Sequence, residues 1–198
     1  MNIPNKLTIA RIIATPIFMA TMVIDFPYHY TIALLLFIGA SLTDMIDGKM
    51  ARKYNLVTDF GKFLDPLADK MLTTSAYLGF MCVYAGNSSI RLQMTIITFV
   101  VLFREFMVSS IRLVVVSSGG KVIAANMWGK CKTVSQMLGI IFALAFFALV
   151  GDFGVRHTTF IDICNVLVCI LFWASAVLCT ISGLIYLMAS KDYINSSK

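Results

Sequence analysis

The chain has 198 residues, of which 59% are hydrophobic and only 13% are charged. A soluble domain would carry about twice that share of charged residues, so the composition excludes an ordinary soluble protein. The net charge of +6 is compatible with binding to nucleic acid, anionic lipid or an anionic small molecule. The positive residues are scattered along predicted helix ends rather than clustered on one soluble face, which argues against nucleic acid. We therefore expect an all-α membrane protein.

The apolar runs are long enough to cross, or nearly cross, a bilayer. The first run follows a charged start like that of a signal peptide, but no small-residue cleavage site follows it, so we expect a retained helix. The sequence predicts a single transmembrane domain over residues 1–198. Its six predicted spans cover about 6–25, 31–52, 63–85, 92–117, 133–150 and 162–189.

Six spans place both termini on the same side of the membrane. The odd-numbered loops between them hold only Arg91 and Arg156, whereas the other Lys and Arg residues lie in the termini, the even-numbered loops and their helix ends. Positive residues mark the cytoplasmic side of membrane proteins. We therefore expect cytoplasmic termini in a bacterial cell membrane.

The stretch 44–69, DMIDGKMARKYNLVTDFGKFLDPLAD, concentrates acids in an otherwise apolar chain. Asp44 and Asp47 are three residues apart, and Asp65 and Asp69 are four apart. Both spacings place side chains on one face of a helix. Because the connection is short, we expect the second and third helices to be antiparallel neighbours and the four carboxylates to converge. Ionisable groups in membrane segments are costly and usually functional.

Converging carboxylates need compensating positive charge. Hard divalent cations with oxygen ligands supply it, so two Mg²⁺ or Mn²⁺ ions that clamp a pyrophosphate are one hypothesis. Gly48 would let a ligand approach the backbone, and Arg52 could hold a phosphate with two hydrogen bonds. A network of acids neutralised by neighbouring Lys and Arg residues is the alternative. Asp65 could also be a helix N-cap before Pro66, although a start near Asp59 is equally allowed.

The same stretch matches the signature D-x2-D-G-x2-A-R-x8-G-x3-D-x3-D and so resembles the CDP-alcohol phosphotransferase family. The resemblance implies a six-helix membrane enzyme, commonly a homodimer, that transfers a substituted phosphate from a CDP-linked donor to an alcohol and releases CMP. It implies that the metals are held by Asp44, Asp47 and Asp65. Asp69 would complete the metal site and act as the base that deprotonates the acceptor hydroxyl.

The resemblance also assigns the donor site. Gly48 and Arg52 would hold the CMP part of the donor, with Thr58 as a weaker candidate. The stretches NIPNKLTIARIIATPIF and REFMVSSIRLV further resemble the branch of the family that uses CDP-diacylglycerol and sn-glycerol 3-phosphate. That branch makes phosphatidylglycerophosphate and CMP in phospholipid biosynthesis.

Basic residues of the fourth span and the following loop are the candidates for binding the acceptor phosphate. Arg104 and Arg112 are eight residues apart, about 80° around a helix. Buried arginines need an anion, although Glu105 could itself pair with Arg104. The stretch 121–132 is predicted to be a basic loop. It contributes Lys121, Lys130 and Lys132.

Other functions stay open on the sequence. The same chemistry could use inositol phosphate, serine or, as in a cardiolipin synthase, phosphatidylglycerol as the acceptor. A cation transporter would also use intramembrane acids, although no second half of the chain repeats them. A non-catalytic membrane scaffold is the remaining alternative.

Overall fold

The computed structural model describes residues 2–53, 59–117 and 127–191. These ranges contain helices and no strand, which confirms the all-α class. A 3₁₀ turn at Tyr84–Gly86 follows the third long helix, and a π-helical turn at Ala148–Asp152 extends the fifth. The six long helices are α1 (Ile3–Val23), α2 (His29–Lys53), α3 (Asp59–Val83), α4 (Ser88–Ser117), α5 (Met127–Phe147) and α6 (Thr158–Ala189).

Five of these helices are long and apolar enough to cross a membrane. The helix that does not qualify is α3, whose first half carries Asp65, Asp69 and Lys70 among its apolar residues. A helix with these charges spans a bilayer only if its neighbours shield them. The sixth span and the cytoplasmic termini therefore stay predictions. The candidate spans are Pro4–Val23, His29–Ile46, Ser88–Val115, Met127–Asp152 and Thr158–Ala189.

The structure decides one helix start that the sequence left open and corrects another. Because α3 begins at Asp59, Asp65 is not its N-cap and Pro66 lies inside the helix. Of the two starts that the sequence allowed, the earlier one is correct. Similarly, α5 begins at Met127, so the predicted loop 121–132 was too long and its last six residues are helical. Polar residues at a membrane surface are compatible with a helix, so polarity alone did not mark where α5 begins.

The packing of α1 overturns one predicted neighbour relation. This helix lies against both α2 and α3, which touch each other little. Phe18 of α1 packs on Phe37 of α2 with ring centroids 5.8 Å apart. On its other side, Met22 packs on Gly79 of α3, where a Cβ atom would lie 3.0 Å from the Cβ of Met22. The sequence of connections predicted α2 and α3 as direct neighbours, but α1 separates them.

The apolar core occupies the half of the bundle away from the acids. Phe172 of α6 lies at its centre, with its ring centroid 5.3 Å from those of both Tyr77 and Phe80 on α3. At the other end of α6, Gly183 permits close approach to α4, because a Cβ atom there would lie 2.8 Å from the Cγ of Arg104. The aromatic core thus fixes the helices while the polar residues gather at one end.

Candidate active site

An ion pair between α1 and α2 forms the first part of the site. Arg11 is almost fully buried, and its Nη1 lies 2.5 Å from Oδ1 of Asp44, whose side chain is 36% exposed. The Nε of Arg11 also donates to the carbonyl of Ala40 at 3.2 Å. A buried arginine next to a half-buried acid fixes the carboxylate in position. No role was predicted for Arg11 from the sequence. A lone arginine inside an apolar span nevertheless indicates a functional residue.

The same face of α1 also holds an acid of α3. The hydroxyl of Thr8 lies 2.6 Å from Oδ1 of Asp65, and it also lies 3.1 Å from the carbonyl of Pro4. Thr8 precedes Arg11 by three residues, which puts both on one side of the helix. α1 therefore positions Asp44 and Asp65 together even though α2 and α3 touch little.

Asp69 lies one turn after Asp65 and lines a cavity of about 240 Å³. Its carboxylate interacts electrostatically with Asp44 of α2 and with Lys132 of α5. The cavity walls come from four helices, α3 to α6, and are largely polar. Asp69 thus connects the acidic part of the site with a basic part.

Glu105 organises the basic wall of this cavity. Its Oε1 accepts a hydrogen bond of 3.2 Å from Nη1 of Arg104 and another from Nζ of Lys132. All three side chains are largely buried. The sequence interpretation allowed Glu105 to pair with Arg104, and the structure adds Lys132 to the same oxygen. Two cations on one carboxylate leave a net positive charge that suits an anionic ligand.

Two further cations border the same cavity. Nζ of Lys70 donates to the hydroxyl of Ser109, which itself donates to the backbone carbonyl of Glu105 at 2.7 Å. The guanidinium of Arg112 lies 5.8 Å from the ring centroid of Tyr186. Lys70 had been considered only as a neutralising charge, and its bond to α4 gives it a place in the site that spacing alone did not reveal.

Lys130 is not brought to this cavity. It lies two residues before Lys132, which is about 200° around a helix, so the two side chains point to different sides of α5. Lys130 lines a separate apolar groove together with Val134 and Leu138. The sequence predicted 121–132 as a loop, in which both lysines could reach one site.

Of the remaining predicted site residues, some lie in α2 and the others lie outside the described residues. Gly48 lies in α2, one turn after Asp44, and is half-buried. The backbone of α2 also includes Asp47 and Arg52, but their side chains lie outside the described residues, as do Thr58 and Lys121 altogether.

The donor atoms of the acidic part suit a hard cation. The described side chains hold no group of three or more metal-ligating residues close enough to bind one ion, and Asp47 is not among them. Asp44, Asp65 and Asp69 nevertheless offer only carboxylate oxygens, the ligands that Mg²⁺ and Mn²⁺ prefer. The residues present therefore fit a divalent cation.

Comparison with known proteins identifies the family. Residues 1–181 match the family model of the CDP-alcohol phosphatidyltransferases. A Bacillus subtilis (strain 168) protein named CDP-diacylglycerol–glycerol-3-phosphate 3-phosphatidyltransferase is 42% identical over 151 residues, covering 70% of this chain and 74% of its own. A Rickettsia bellii (strain RML369-C) protein of the same name is 39% identical over 196 residues, covering 97% of both chains. A rice (Oryza sativa subsp. japonica) protein named cardiolipin synthase (CMP-forming) is 34% identical over 152 residues, covering 73% of this chain and 46% of its own. The chain belongs to the CDP-alcohol phosphatidyltransferase family.

Proposed function

We propose that this membrane enzyme transfers the phosphatidyl group of CDP-diacylglycerol to sn-glycerol 3-phosphate and yields phosphatidylglycerophosphate and CMP. The observation that carries the proposal is one cavity lined by both Asp69 and a cationic wall. A carboxylate that can accept a proton lies beside groups that can hold a phosphate. Relatives named for this reaction cover most of the chain, one of them over 97% of both sequences.

The cavity gives each end of the acceptor a partner. Arg104, Lys132 and Arg112 bind the phosphate of glycerol 3-phosphate, which directs its primary hydroxyl towards Asp69. Asp69 takes the proton of that hydroxyl, and the oxygen attacks the β-phosphorus of the donor. A new bond forms between the acceptor oxygen and the β-phosphorus. The bond from that phosphorus to the bridging oxygen breaks, and CMP leaves with the electron pair.

The acidic part of the site holds the donor. Asp44, Asp47, Asp65 and Asp69 would ligate divalent cations, Mg²⁺ or Mn²⁺, whose charge offsets that of the donor pyrophosphate. Gly48, Arg52 and Thr58 would contact the CMP part. The ion pair between Arg11 and Asp44 keeps the carboxylate of Asp44 in place while the donor binds.

The proposal also includes the orientation of the site in the membrane and the association of the chain. The ends of the helices that carry the acids and the basic wall face the cytoplasm, because most of the chain's Lys and Arg residues lie on that side. The lipid tails remain between helices in a bacterial cell membrane, and two copies of the chain associate as a homodimer.

Lys132 and Lys130 form a matched pair for testing the acceptor site. We expect Lys132→Gln to raise the KM for glycerol 3-phosphate by at least about tenfold, because it removes one cation from the cavity. The matched variant, Lys130→Gln, should leave this KM within about twofold, because Lys130 lines a different groove. Steady-state kinetics of both variants in detergent would measure the difference. Equal effects of the two substitutions would contradict the assignment of the cavity.

The proposed reaction is tested by acceptor-dependent release of CMP. The purified protein is mixed with CDP-diacylglycerol and Mg²⁺, with and without glycerol 3-phosphate. We expect CMP only when the acceptor is present. Release with phosphatidylglycerol instead would favour the reaction named for the rice relative, and release with inositol phosphate or serine would also replace the acceptor. No release with any alcohol, with metal flux into liposomes, would favour a transporter.

A further inference from the structure

The mechanism above uses no residue of α6, yet this helix forms one wall of the cavity. Ser182 and Tyr186 both line it and are four residues apart. That spacing places the two side chains one above the other on one face of the helix. They share the cavity with the cations Arg104, Arg112 and Lys132, and Ser182 is in direct contact with Arg104.

The hydroxyl of Tyr186 is buried and has no hydrogen-bond partner within the described part of the chain. Tyr186 is only 8% exposed. Burying a hydroxyl without a partner costs free energy, and nearly all buried polar groups in native proteins have one. Because Tyr186 lines this polar cavity, a molecule bound in the cavity is the candidate partner for the hydroxyl.

The ring of Tyr186 lies beside a cation of α4. The guanidinium of Arg112 lies 5.8 Å from the ring centroid, within the range of a cation–π contact. Arg112 itself lines the cavity. Arg112 and Tyr186 therefore line the same cavity, next to each other.

Ser182 supplies a second hydroxyl on the same wall. Its Oγ accepts a hydrogen bond of 2.8 Å from Nη2 of Arg104, so its own hydrogen is still available for donation. Ser182 is 3% exposed. Arg104 is thus held between Ser182 and Glu105, and the serine hydroxyl lies next to a cation of the proposed acceptor site.

We propose that the hydroxyls of Tyr186 and Ser182 donate hydrogen bonds to the phosphate of the acceptor and make α6 a specificity element for phosphorylated acceptors. This inference rests on the proposed function. A phosphate offers more lone pairs than the cations alone satisfy, so neutral donors complete its coordination. A neutral alcohol acceptor would leave the Tyr186 hydroxyl unpaired and would bind less well.

Tyr186→Phe tests the inference, because phenylalanine keeps the ring and removes only the hydroxyl. We expect the KM for glycerol 3-phosphate to rise about tenfold, with kcat and the KM for CDP-diacylglycerol within about twofold. Inorganic phosphate, used as an inhibitor competitive with the acceptor, should lose affinity by a similar factor. That second result identifies the phosphate, and not the glycerol part, as the group contacted.

Tyr77→Phe is the matched control. Tyr77 is also buried, but its hydroxyl lies 3.1 Å from Ser175 in the core and does not line the cavity. We expect unchanged KM values for both substrates. An unchanged acceptor KM in Tyr186→Phe, or an equal rise in the donor KM, would overturn the inference alone. Absence of acceptor-dependent CMP from the wild-type protein would overturn the proposed function, and the inference with it.

Discussion

Asp69→Asn should reduce kcat by at least about a thousandfold and leave the affinity for CDP-diacylglycerol largely unchanged. Loss of a general base typically costs two to four orders of magnitude. Asparagine has the shape of aspartate but cannot accept the proton of the acceptor hydroxyl. The residue lines the cavity and interacts electrostatically with Lys132 of its basic wall, which is the position that a base for a phosphorylated acceptor needs.

The measurement separates chemistry from donor binding. CMP release gives kcat, and equilibrium binding of the donor to the same detergent-solubilised variant gives its affinity. Asp162→Asn is the matched control, because Asp162 is an exposed acid near the start of α6, away from the cavity. A loss of kcat below about tenfold in Asp69→Asn would refute the role as base. A loss of donor affinity as large as the loss of kcat would instead make Asp69 chiefly part of the donor site.

The sequence predicted the helices well because hydrophobic runs and isolated charges are local signals. The spacing of Asp65 and Asp69 requires only that both lie in one helix, and α3 contains both. The helix start was less certain, because Pro66 is compatible with a first turn and with an interior position. The difference decides whether Asp65 caps a helix or faces Thr8 of α1, as it does.

Long-range neighbours were not predictable in the same way. The short connection between α2 and α3 favoured direct packing, yet α1 lies between them and supplies Thr8 and Arg11. Nothing in the spacing of the acids specifies which third helix separates them. Lys130 and Lys132 were likewise predicted to share one site, and the directions of their side chains depend on α5 beginning at Met127.

The neutral residues of the candidate site were the hardest to predict from the sequence. Ser182 and Tyr186 lie in the most apolar stretch of the chain, where a serine and a tyrosine also suit helix packing. Their participation depends on the approach of α6 to Arg104 at Gly183. Only the assembled cavity brings these hydroxyls next to the cations.

Asp44→Asn should lower the free energy of unfolding by about 2 kcal/mol, and Arg11→Met should lower it less. Removing one partner of a buried ion pair leaves an uncompensated charge, which costs about 3–5 kcal/mol when both partners are buried. Asp44 is 36% exposed, so water offsets part of the cost for the acid. Arg11 is 1% exposed and loses this ion-pair partner in a site that water hardly reaches. The larger destabilisation by Asp44→Asn than by Arg11→Met therefore follows from the deeper burial of Arg11.

The double variant distinguishes pairing from other effects of each substitution. Arg11→Met with Asp44→Asn should be about 1 kcal/mol more stable than Asp44→Asn alone, because the buried cation that lost its bond to Asp44 is removed as well. Denaturation of the detergent-solubilised protein measures all three. Asp25→Asn is the control, because Asp25 is fully exposed and lies 3.9 Å from His29. A surface pair of this kind contributes little to stability, because water screens both charges.

Activity should respond differently from stability in the same variants. We expect all three to lose at least about a hundredfold in kcat, since the double variant restores no carboxylate at position 44 and Arg11→Met releases the one that is there. Recovered stability without recovered turnover would show that α1 positions Asp44 for the reaction as well as holding the bundle together. If Arg11→Met kept full turnover, the ion pair would serve stability alone, and the acid of α2 would need no support from α1.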